Sequence, residues 1–300
     1  MNARQDWLSA RKTGIGGSDV AGILGLSKWK TPYSVWLDKT GQGVEVEDNA
    51  PMKWGRALEP VIRQEYAEAT GRVVLQPADM LRHPVHSFMV ANLDGMTEDR
   101  RVVEIKTARA AAGWGESGSD QVPQDYLFQV QHYMAVTGFE VADIAVLIGG
   151  SDFRLYEVPA DVELQGMMIE AEAEFWRRVQ NMDPPEPVTL AEAMAKYGRA
   201  SRADRVMADQ NVMAAVDMLR IVRGKRAALD ADEEAAKAVI LRTMGECDTL
   251  VDATGKTILA TWKAQAGAKR FDSAAFKDAH PDMYSQFIKQ GEPSRRFLLK

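Results

Sequence analysis

The fold is decided by Asn92-Leu93-Asp94-Gly95 and the following Arg101-Val102-Val103-Glu104-Ile105-Lys106. Asp94 comes at the end of one predicted strand, and Glu104 and Lys106 lie on the next. Side chains two residues apart on a strand project from the same face, so Glu104 and Lys106 share a face while Ile105 points into the core. We therefore expect two carboxylates and one ammonium group to converge beside a sheet.

This combination of side chains suits metal-assisted hydrolysis. Carboxylate oxygens are hard ligands for Mg²⁺ or Mn²⁺, and a neighbouring lysine can lower the cost of forming hydroxide and hold the attacking water. The pattern therefore fits the cleavage of a phosphodiester. Glu-Ile-Lys is also a common tripeptide on surface strands, and Asp-Gly is a common turn, so the motif alone leaves an ordinary structural role open.

Three side chains on flanking helices strengthen the hydrolytic interpretation. The helix predicted over residues 54–70 carries Glu59, whose carboxylate could reach the same metal ion. The helix predicted over residues 122–136 carries Gln129 and Tyr133, which are four residues apart and share the face that would look toward the lysine. Taken singly, the glutamate could be a solvated charge, the tyrosine core packing and the glutamine an ordinary polar position.

The remaining pattern predicts an α/β (α+β) domain with a mixed central sheet flanked by helices. Near the N terminus we expect short helices, one capped by Ser18 or Asp19 and one opening at Thr31-Pro32. Apolar runs without helical period predict three adjacent strands, then a hairpin and another helix. The strands are residues 73–75, 88–91, 102–105, 144–148 and 153–158, and the last helix is 164–182.

Proline-rich sequence separates this domain from a smaller C-terminal module. Pro184-Pro185-Glu186-Pro187 cannot continue a helix and predicts a stiff linker. We expect a first domain over residues 1–183, a linker over 184–202 and a second module over 203–300.

The second module is predicted to be helical first and α+β afterwards. Residues 203–245 form one long helix or a helical hairpin interrupted near Gly224, and their length favours the hairpin. Strands at 249–252 and 257–262, a helix at 273–289 broken at Pro281, and a strand at 295–299 follow. Basic residues interleaved with aromatic ones could bind DNA or a protein partner, or could be solvated charge around a small core. They are Lys263, Lys269, Arg270, Arg295, Arg296 and Lys300, with Trp262, Phe271 and Phe297.

Composition excludes several classes of protein. The 300 residues are 46% hydrophobic and 27% charged, which is ordinary for a globular chain. The single cysteine, Cys247, allows no intrachain disulfide, and no apolar run is long enough for a membrane helix. The net charge of −6 argues against a basic coat for nucleic acid, although a local basic groove stays open. Residues 1–9 lack a secretory pattern, so a cytoplasmic location is expected.

Five motifs in order resemble the YqaJ-like viral recombinase family, relatives of phage lambda exonuclease within the PD-(D/E)XK nucleases. They are Arg11-x-x-Gly14-Ile15-Gly16-Gly17-Ser18-Asp19, Gly55-Arg56-x-x-Glu59-Pro60, Asp94-Gly95, Glu104-x-Lys106 and Gln129-x-x-x-Tyr133. The resemblance covers roughly residues 1–180. It implies a restriction-endonuclease-like core and a Mg²⁺-dependent alkaline exonuclease. Such an enzyme digests one strand of linear duplex DNA from its 5′ end and leaves a 3′ overhang for recombination in the bacterial cytoplasm of a phage host.

The resemblance also implies roles for single residues. Asp94, Glu104 and the Ile105 carbonyl would be metal ligands, and Lys106 would orient or activate water. Glu59 would support the metal site directly or through water, Gln129 would position the lysine or the scissile phosphate, and Tyr133 would support them. Arg11 and Ser18 would hold a terminal 5′-phosphate.

The sequence departs from the family pattern at two places, next to Asp94 and upstream of it. Leu93 stands where the superfamily has proline, and Arg82-His83-Pro84 occupies the region where lambda exonuclease carries an upstream acid.

Partners and competing functions follow from the same resemblance. The substrate would be double-stranded DNA ends, a single-strand annealing protein could dock, and processive members form trimeric rings. Alternatives are a non-catalytic DNA-end binding or recombination scaffold and an endonuclease of the same fold that acts on branched DNA.

Overall fold

The computed structural model describes residues 11–43, 49–199, 202, 204–289, 291 and 293–300. The chain forms two compact units, Met1–Lys196 and Tyr197–Lys300. Residues 1–9, on which the expectation of no secretory signal rests, lie outside the described part. Within the described part, no helix combines the length and apolar character needed to cross a membrane.

The first unit alternates helices and strands. Its elements are β1 (Ile15–Gly16), α1 (Gly17–Ile23), α2 (Pro32–Lys39), α3 (Ala50–Thr70), β2 (Val74–Leu75), β3 (Leu81–Arg82), β4 (Met89–Ala91), β5 (Gly95–Thr97), β6 (Arg101–Ala108), α4 (Gln124–Thr137), β7 (Val141–Ile148), β8 (Asp152–Pro159), α5 (Val162–Gln180) and α6 (Leu190–Tyr197). The last helix lies within residues 184–202, which the sequence analysis treats as a linker.

A five-stranded mixed sheet with the order β2-β5-β6-β7-β8 forms the centre of the unit. Strands β6 and β7 are parallel and joined through α4, whereas the other neighbours are antiparallel. The hairpin predicted after α4 is β7 and β8. The prediction of three adjacent strands is wrong for residues 88–91, because β4 pairs with β1 and β3 in a separate small sheet. Short apolar runs do not encode their pairing partners.

Helices cover both faces of the central sheet. Ile62 of α3 packs against Val103 and Ile105 on one face of β6. On the other face, Val102 packs with Val130 of α4. The alternation of a strand therefore sends Glu104 toward α4 and into the interior, where only 1% of the residue is exposed.

A buried polar network ties α3 to the sheet. Asp143 on β7 accepts two hydrogen bonds from Arg101, at 2.7 and 2.6 Å, and one from the Tyr66 hydroxyl at 2.5 Å. Removing one partner of such a buried ion pair typically costs about 3–5 kcal/mol. This network fixes the end of β6 opposite to Lys106.

The N-terminal helices differ in how well their caps were predicted. Thr31 caps α2 as expected, since its hydroxyl accepts from the Ser34 amide at 3.0 Å. Helix α1, however, begins at Gly17, so neither Ser18 nor Asp19 occupies the capping position. Asp19 instead reaches back from the first turn and accepts from the Gly16 amide at 3.2 Å.

The second unit contains one long continuous helix, followed by short strands and helices. Its elements are α7 (Gln210–Met244), β9 (Thr249–Val251), β10 (Ile258–Thr261), α8 (Ser273–Ala279) and α9 (Pro281–Phe287). The expected helical hairpin is wrong, because α7 continues through Gly224. A glycine inside a helix costs only about 1 kcal/mol, and strong helix formers surround it.

The C-terminal end of this unit matches the sequence in part. The two strands β9 and β10 pair as an antiparallel hairpin, and Pro281 separates α8 from α9 as predicted. The predicted strand at residues 295–299 is wrong. Its short apolar run, Phe297-Leu298-Leu299, pairs with no strand in the described part of the chain.

Candidate active site

Asp94 is held beside β6 by the pairing of β5 with that strand. It directly precedes β5, whose Gly95 pairs with Val103. A side chain at position 95 would place its Cβ 2.5 Å from the Val74 side chain, so glycine is required by close packing. The Asp94 Oδ2 atom accepts a hydrogen bond from the Ile105 amide at 2.9 Å. The Asp-Gly pair therefore holds the Asp94 carboxylate at a fixed position beside β6 and is more than a turn.

Glu104 and Lys106 lie on the same face of β6, as predicted, and Gln129 of α4 joins them. The Lys106 ammonium forms an ion pair with Glu104 Oε1. Gln129 Nε2 donates to that same Oε1 atom at 2.7 Å, while Gln129 Oε1 accepts from Lys106 at 3.2 Å. Gln129 Nε2 also donates to the Tyr133 hydroxyl at 3.1 Å. The amide therefore fixes the lysine, the glutamate and the tyrosine together.

An aromatic ring of α4 lies beside the lysine, and a second ring stacks on the first. The Lys106 ammonium lies 4.9 Å from the centroid of the Tyr126 ring, within cation–π range. Trp114 stacks on Tyr126 with ring centroids 5.5 Å apart. Sequence analysis did not identify Trp114, because the loop that carries it has no periodic pattern.

Burial controls the charges of the cluster. Burial raises the pKa of Glu104 to about 8, and the negative charge of Asp94 adds to this, although Lys106 opposes it. Burial likewise raises the pKa of Asp94. For Lys106, burial alone would lower the pKa, but the charges of Glu104 and Asp94 outweigh it and raise the pKa. The site thus keeps a cation next to two buried carboxyl groups.

These residues fit a divalent metal ion. The Oε2 atom of Glu104 is buried and has no hydrogen-bond partner, an arrangement that is costly unless another ligand binds it. Asp94 is the second carboxylate, and the Ile105 carbonyl is the further oxygen that the family resemblance implies. All are hard donors of the kind that Mg²⁺ and Mn²⁺ prefer.

Glu59 lies near this cluster with a partner of its own. Its carboxylate forms an ion pair with Arg63 on the same helix. Burial and then the negative charge of Asp94 raise the pKa of Glu59, which places the two carboxylates within electrostatic reach. Among the described residues, no three His, Cys, Asp or Glu side chains are grouped closely enough to hold a metal ion by themselves.

A second cluster brings together the predicted phosphate ligands Arg11 and Ser18. The Arg11 guanidinium donates to the Ser18 hydroxyl at 3.4 Å and lies 3.6 Å from Asp19. Lys30 and Lys39 each approach the Asp19 carboxylate at 2.6 Å. Burial opposes the charge of Asp19, but Lys39, Lys30 and Arg11 outweigh it and lower its pKa. Sequence analysis missed both lysines, because they lie outside the glycine-rich motif.

Glycine allows the two clusters to approach each other. Gly17 at the start of α1 packs on α4, where a Cβ atom would lie 2.7 Å from the Tyr133 ring and 2.8 Å from the Gln129 carbonyl oxygen. The motif glycine is therefore a packing requirement, and it places the cation cluster next to the carboxylate cluster.

Comparison with known proteins identifies the family. The model of the YqaJ-like viral recombinase domain matches residues 6–140. The protein YqaJ of Bacillus subtilis (strain 168) is 32% identical, and the alignment covers 99% of this chain and 94% of that protein. The chain belongs to the YqaJ-like viral recombinase family. The resemblance seen in the five sequence motifs is thereby confirmed.

Structural comparison supports the fold assignment of this family member. The crystal structure of an alkaline exonuclease from Laribacter hongkongensis aligns with a TM-score of 0.50 at 21% identity. The alignment covers 64% of this chain and 98% of the exonuclease. The mixed sheet flanked by helices is thus the PD-(D/E)XK core that the sequence predicted.

A protein of Acanthamoeba polyphaga mimivirus is 24% identical over 46% of the chain.

Proposed function

We propose that this protein is a metal-dependent exonuclease that digests linear double-stranded DNA for homologous recombination. The observation that carries the proposal is the unsatisfied Oε2 atom of buried Glu104, which lies beside Asp94 and an ion-paired Lys106. The family and the fold shared with an alkaline exonuclease support the same activity.

The chain's own residues would divide the work of hydrolysis. Asp94, Glu104 and the Ile105 carbonyl would hold Mg²⁺, or Mn²⁺ in its place, with Glu59 acting directly or through water. When bound, such an ion lowers the pKa of water and stabilises negative charge on phosphate oxygens. Lys106 holds the attacking water with its ammonium hydrogens, and Gln129 keeps the lysine at a fixed position. Tyr133 in turn fixes the Gln129 amide.

The second cluster supports the proposal that digestion starts at the 5′ end. Arg11 and the Ser18 hydroxyl would bind a terminal 5′-phosphate, because a guanidinium and a neighbouring hydroxyl suit a phosphate oxygen pair. The product would be a 3′ single-stranded overhang. We also propose that the protein forms a trimeric ring, that a single-strand annealing protein docks on it, and that it acts in the bacterial cytoplasm. Native mass measurement tests the ring.

The decisive experiment compares linear duplex DNA with and without a 5′-phosphate, in Mg²⁺ or in EDTA. We expect nucleotide release only in Mg²⁺, and faster release from the phosphorylated end. Lys106→Ala should remove release, while Lys53→Ala, which changes an exposed lysine of α3, should retain it. Arg11→Ala should remove the preference for the phosphorylated end without abolishing hydrolysis.

Two outcomes would replace this proposal. Retardation of DNA ends in a gel without release in any divalent metal would identify a binding scaffold. Cleavage of closed circular or branched DNA at the same rate as linear DNA would identify an endonuclease.

A further inference from the structure

Net charge is distributed unevenly along the chain. Residues 1–196 contain 19 Lys and Arg against 29 Asp and Glu, whereas residues 197–300 contain 18 against 14. The positive excess lies entirely in residues 262–300, which carry eight basic and four acidic side chains. A segment of this sign attracts a polyanion, and the attraction weakens with salt.

The same segment exposes large aromatic rings. Trp262, Phe271, Phe287 and Phe297 are all more than half exposed. No described residue after Met244 is buried, so these rings build no core of their own. Exposed phenyl and indole surface is unfavourable in water, which favours a ligand that offers flat apolar faces.

Two of these rings, Phe271 and Phe287, line a groove formed at helices α8 and α9. The groove has a volume of about 380 Å³ and is lined by Phe271, Phe276, Tyr284, Phe287 and Ile288. Phe271 and Phe276 contact each other with ring centroids 5.0 Å apart. The lining is therefore a preformed aromatic surface.

One basic side chain borders the groove, in a stretch that also carries Asp272, Asp278 and Asp282. The Lys277 ammonium lies 5.8 Å from the centroid of the Tyr284 ring. Arg270 directly precedes Phe271 in the chain. Aromatic rings that stack bases, combined with cations that contact the backbone, are the usual means of binding single strands without sequence preference.

We infer that residues 262–300 bind single-stranded DNA, with bases stacked on the rings of the α8–α9 groove and phosphates against Arg270 and Lys277. Duplex DNA is a poorer ligand for this surface because its base faces are stacked inside the helix and cannot reach the rings. A peptide has no repeated negative charge to match the basic excess. This binding needs no hydrolysis, so it goes beyond the proposed nuclease function.

The test measures fluorescence anisotropy of a labelled oligothymidylate of about 16 nucleotides in EDTA, with the full chain carrying Lys106→Ala. Loss of one stacking ring, in Phe271→Ala or Phe287→Ala, should weaken binding about 5- to 150-fold. Both rings are exposed, so their removal leaves folding intact. The matched control is Leu229→Ala, which removes an exposed apolar side chain of α7.

Charge variants test the phosphate contacts separately. Arg270→Gln with Lys277→Gln should flatten the dependence of log K on log salt by about 1.4, because each phosphate contact to a single strand contributes about 0.7. Lys225→Gln with Arg226→Gln on α7 removes the same charge elsewhere in the unit and should leave the slope unchanged.

Four results would overturn the inference. The first is no binding of the single strand at low salt, and the second is equal weakening by groove and control variants. The third is a blunt duplex that competes as well as the single strand. The fourth is unaltered strand binding in the ring variants, which would indicate that the groove binds a protein partner. Nuclease activity on short duplexes is measured in parallel for Phe271→Ala and Phe287→Ala with Lys106 intact, so a failure of the proposed hydrolysis is seen independently.

Discussion

Asp19→Asn is the substitution whose effect follows most directly from the structure. Asp19 is completely buried and is the shared anion of the N-terminal cluster. The side chain of Lys39, its partner at 2.6 Å, is also fully buried. Asparagine keeps the shape but removes the negative charge, which leaves the lysine ammonium in a site without water. The remaining acceptor for this lysine is the Arg11 carbonyl at 2.9 Å.

The expected magnitude is that of breaking a buried ion pair by removing one partner. Such changes cost about 3–5 kcal/mol, because the charge left behind is not compensated. For a chain of this size, each kcal/mol lowers the Tm by about 2–4 °C, so we expect a fall of roughly 6–20 °C. Asp38→Asn on the exposed side of α2 is the matched control and should change stability by less than about 0.5 kcal/mol.

Thermal and urea unfolding followed by circular dichroism measure the effect. Adding Lys39→Met to Asp19→Asn should recover part of the loss, because the unpaired charge is then gone. The double-mutant cycle should give a coupling energy of about 0.5–3 kcal/mol. Additive losses, or a loss below about 1 kcal/mol for Asp19→Asn alone, would refute the assignment of Asp19 as the anchor of this cluster.

Three further predictions concern packing, lysine position and pH. Gly17→Ala should lower the free energy of unfolding by about 1–3 kcal/mol, because the added methyl group overpacks the contact with α4. Gly166→Ala has open space around it and should stabilise α5 by up to about 1 kcal/mol in the same thermal assay. Tyr126→Leu should lower kcat more than it changes KM, because the ring beside the Lys106 ammonium is lost, and Tyr126→Phe should retain activity. His132 is buried; burial would lower its pKa, but the charge of its glutamate partner raises it. Its stabilising contribution is therefore complete below the unfolded pKa of about 6.5 and is lost as the pH rises through the higher pKa of the folded state. The urea midpoint should fall above pH ~6.5. His132→Gln should flatten this pH profile.

The sequence predicted the elements around the site better than their pairing. Helical spacing gave α3, α4 and α5 to within a few residues, because each has a long amphipathic pattern. Strand β1 was missed, since two residues cannot show a period. The assignment of β4 to the central sheet failed because its partners are far away in the chain.

The C-terminal errors have different physical causes. A single glycine is a weak signal for a helix break, so the length argument for a hairpin was misleading in α7. A short apolar run such as the one within residues 295–299 forms a strand only if it pairs with the edge of a sheet. In both segments, the secondary structure depends on tertiary contacts and not on local sequence preference.

Spacing identified the members of the candidate site, yet it could not give their environment. The rule that residues two apart share a strand face was enough to place Glu104 with Lys106, and the four-residue spacing placed Gln129 with Tyr133. Whether that face is wet or dry depends on α4, which returns across the sheet after the strand. Covering by α4 leaves one Glu104 oxygen without a partner and raises the pKa of that carboxyl group. Burial therefore turns a common surface tripeptide into a site that favours a cation. Glu59 differs from Glu104 in this respect, because the Glu59 carboxylate forms an ion pair with Arg63 on its own helix, whereas one Glu104 oxygen has no partner.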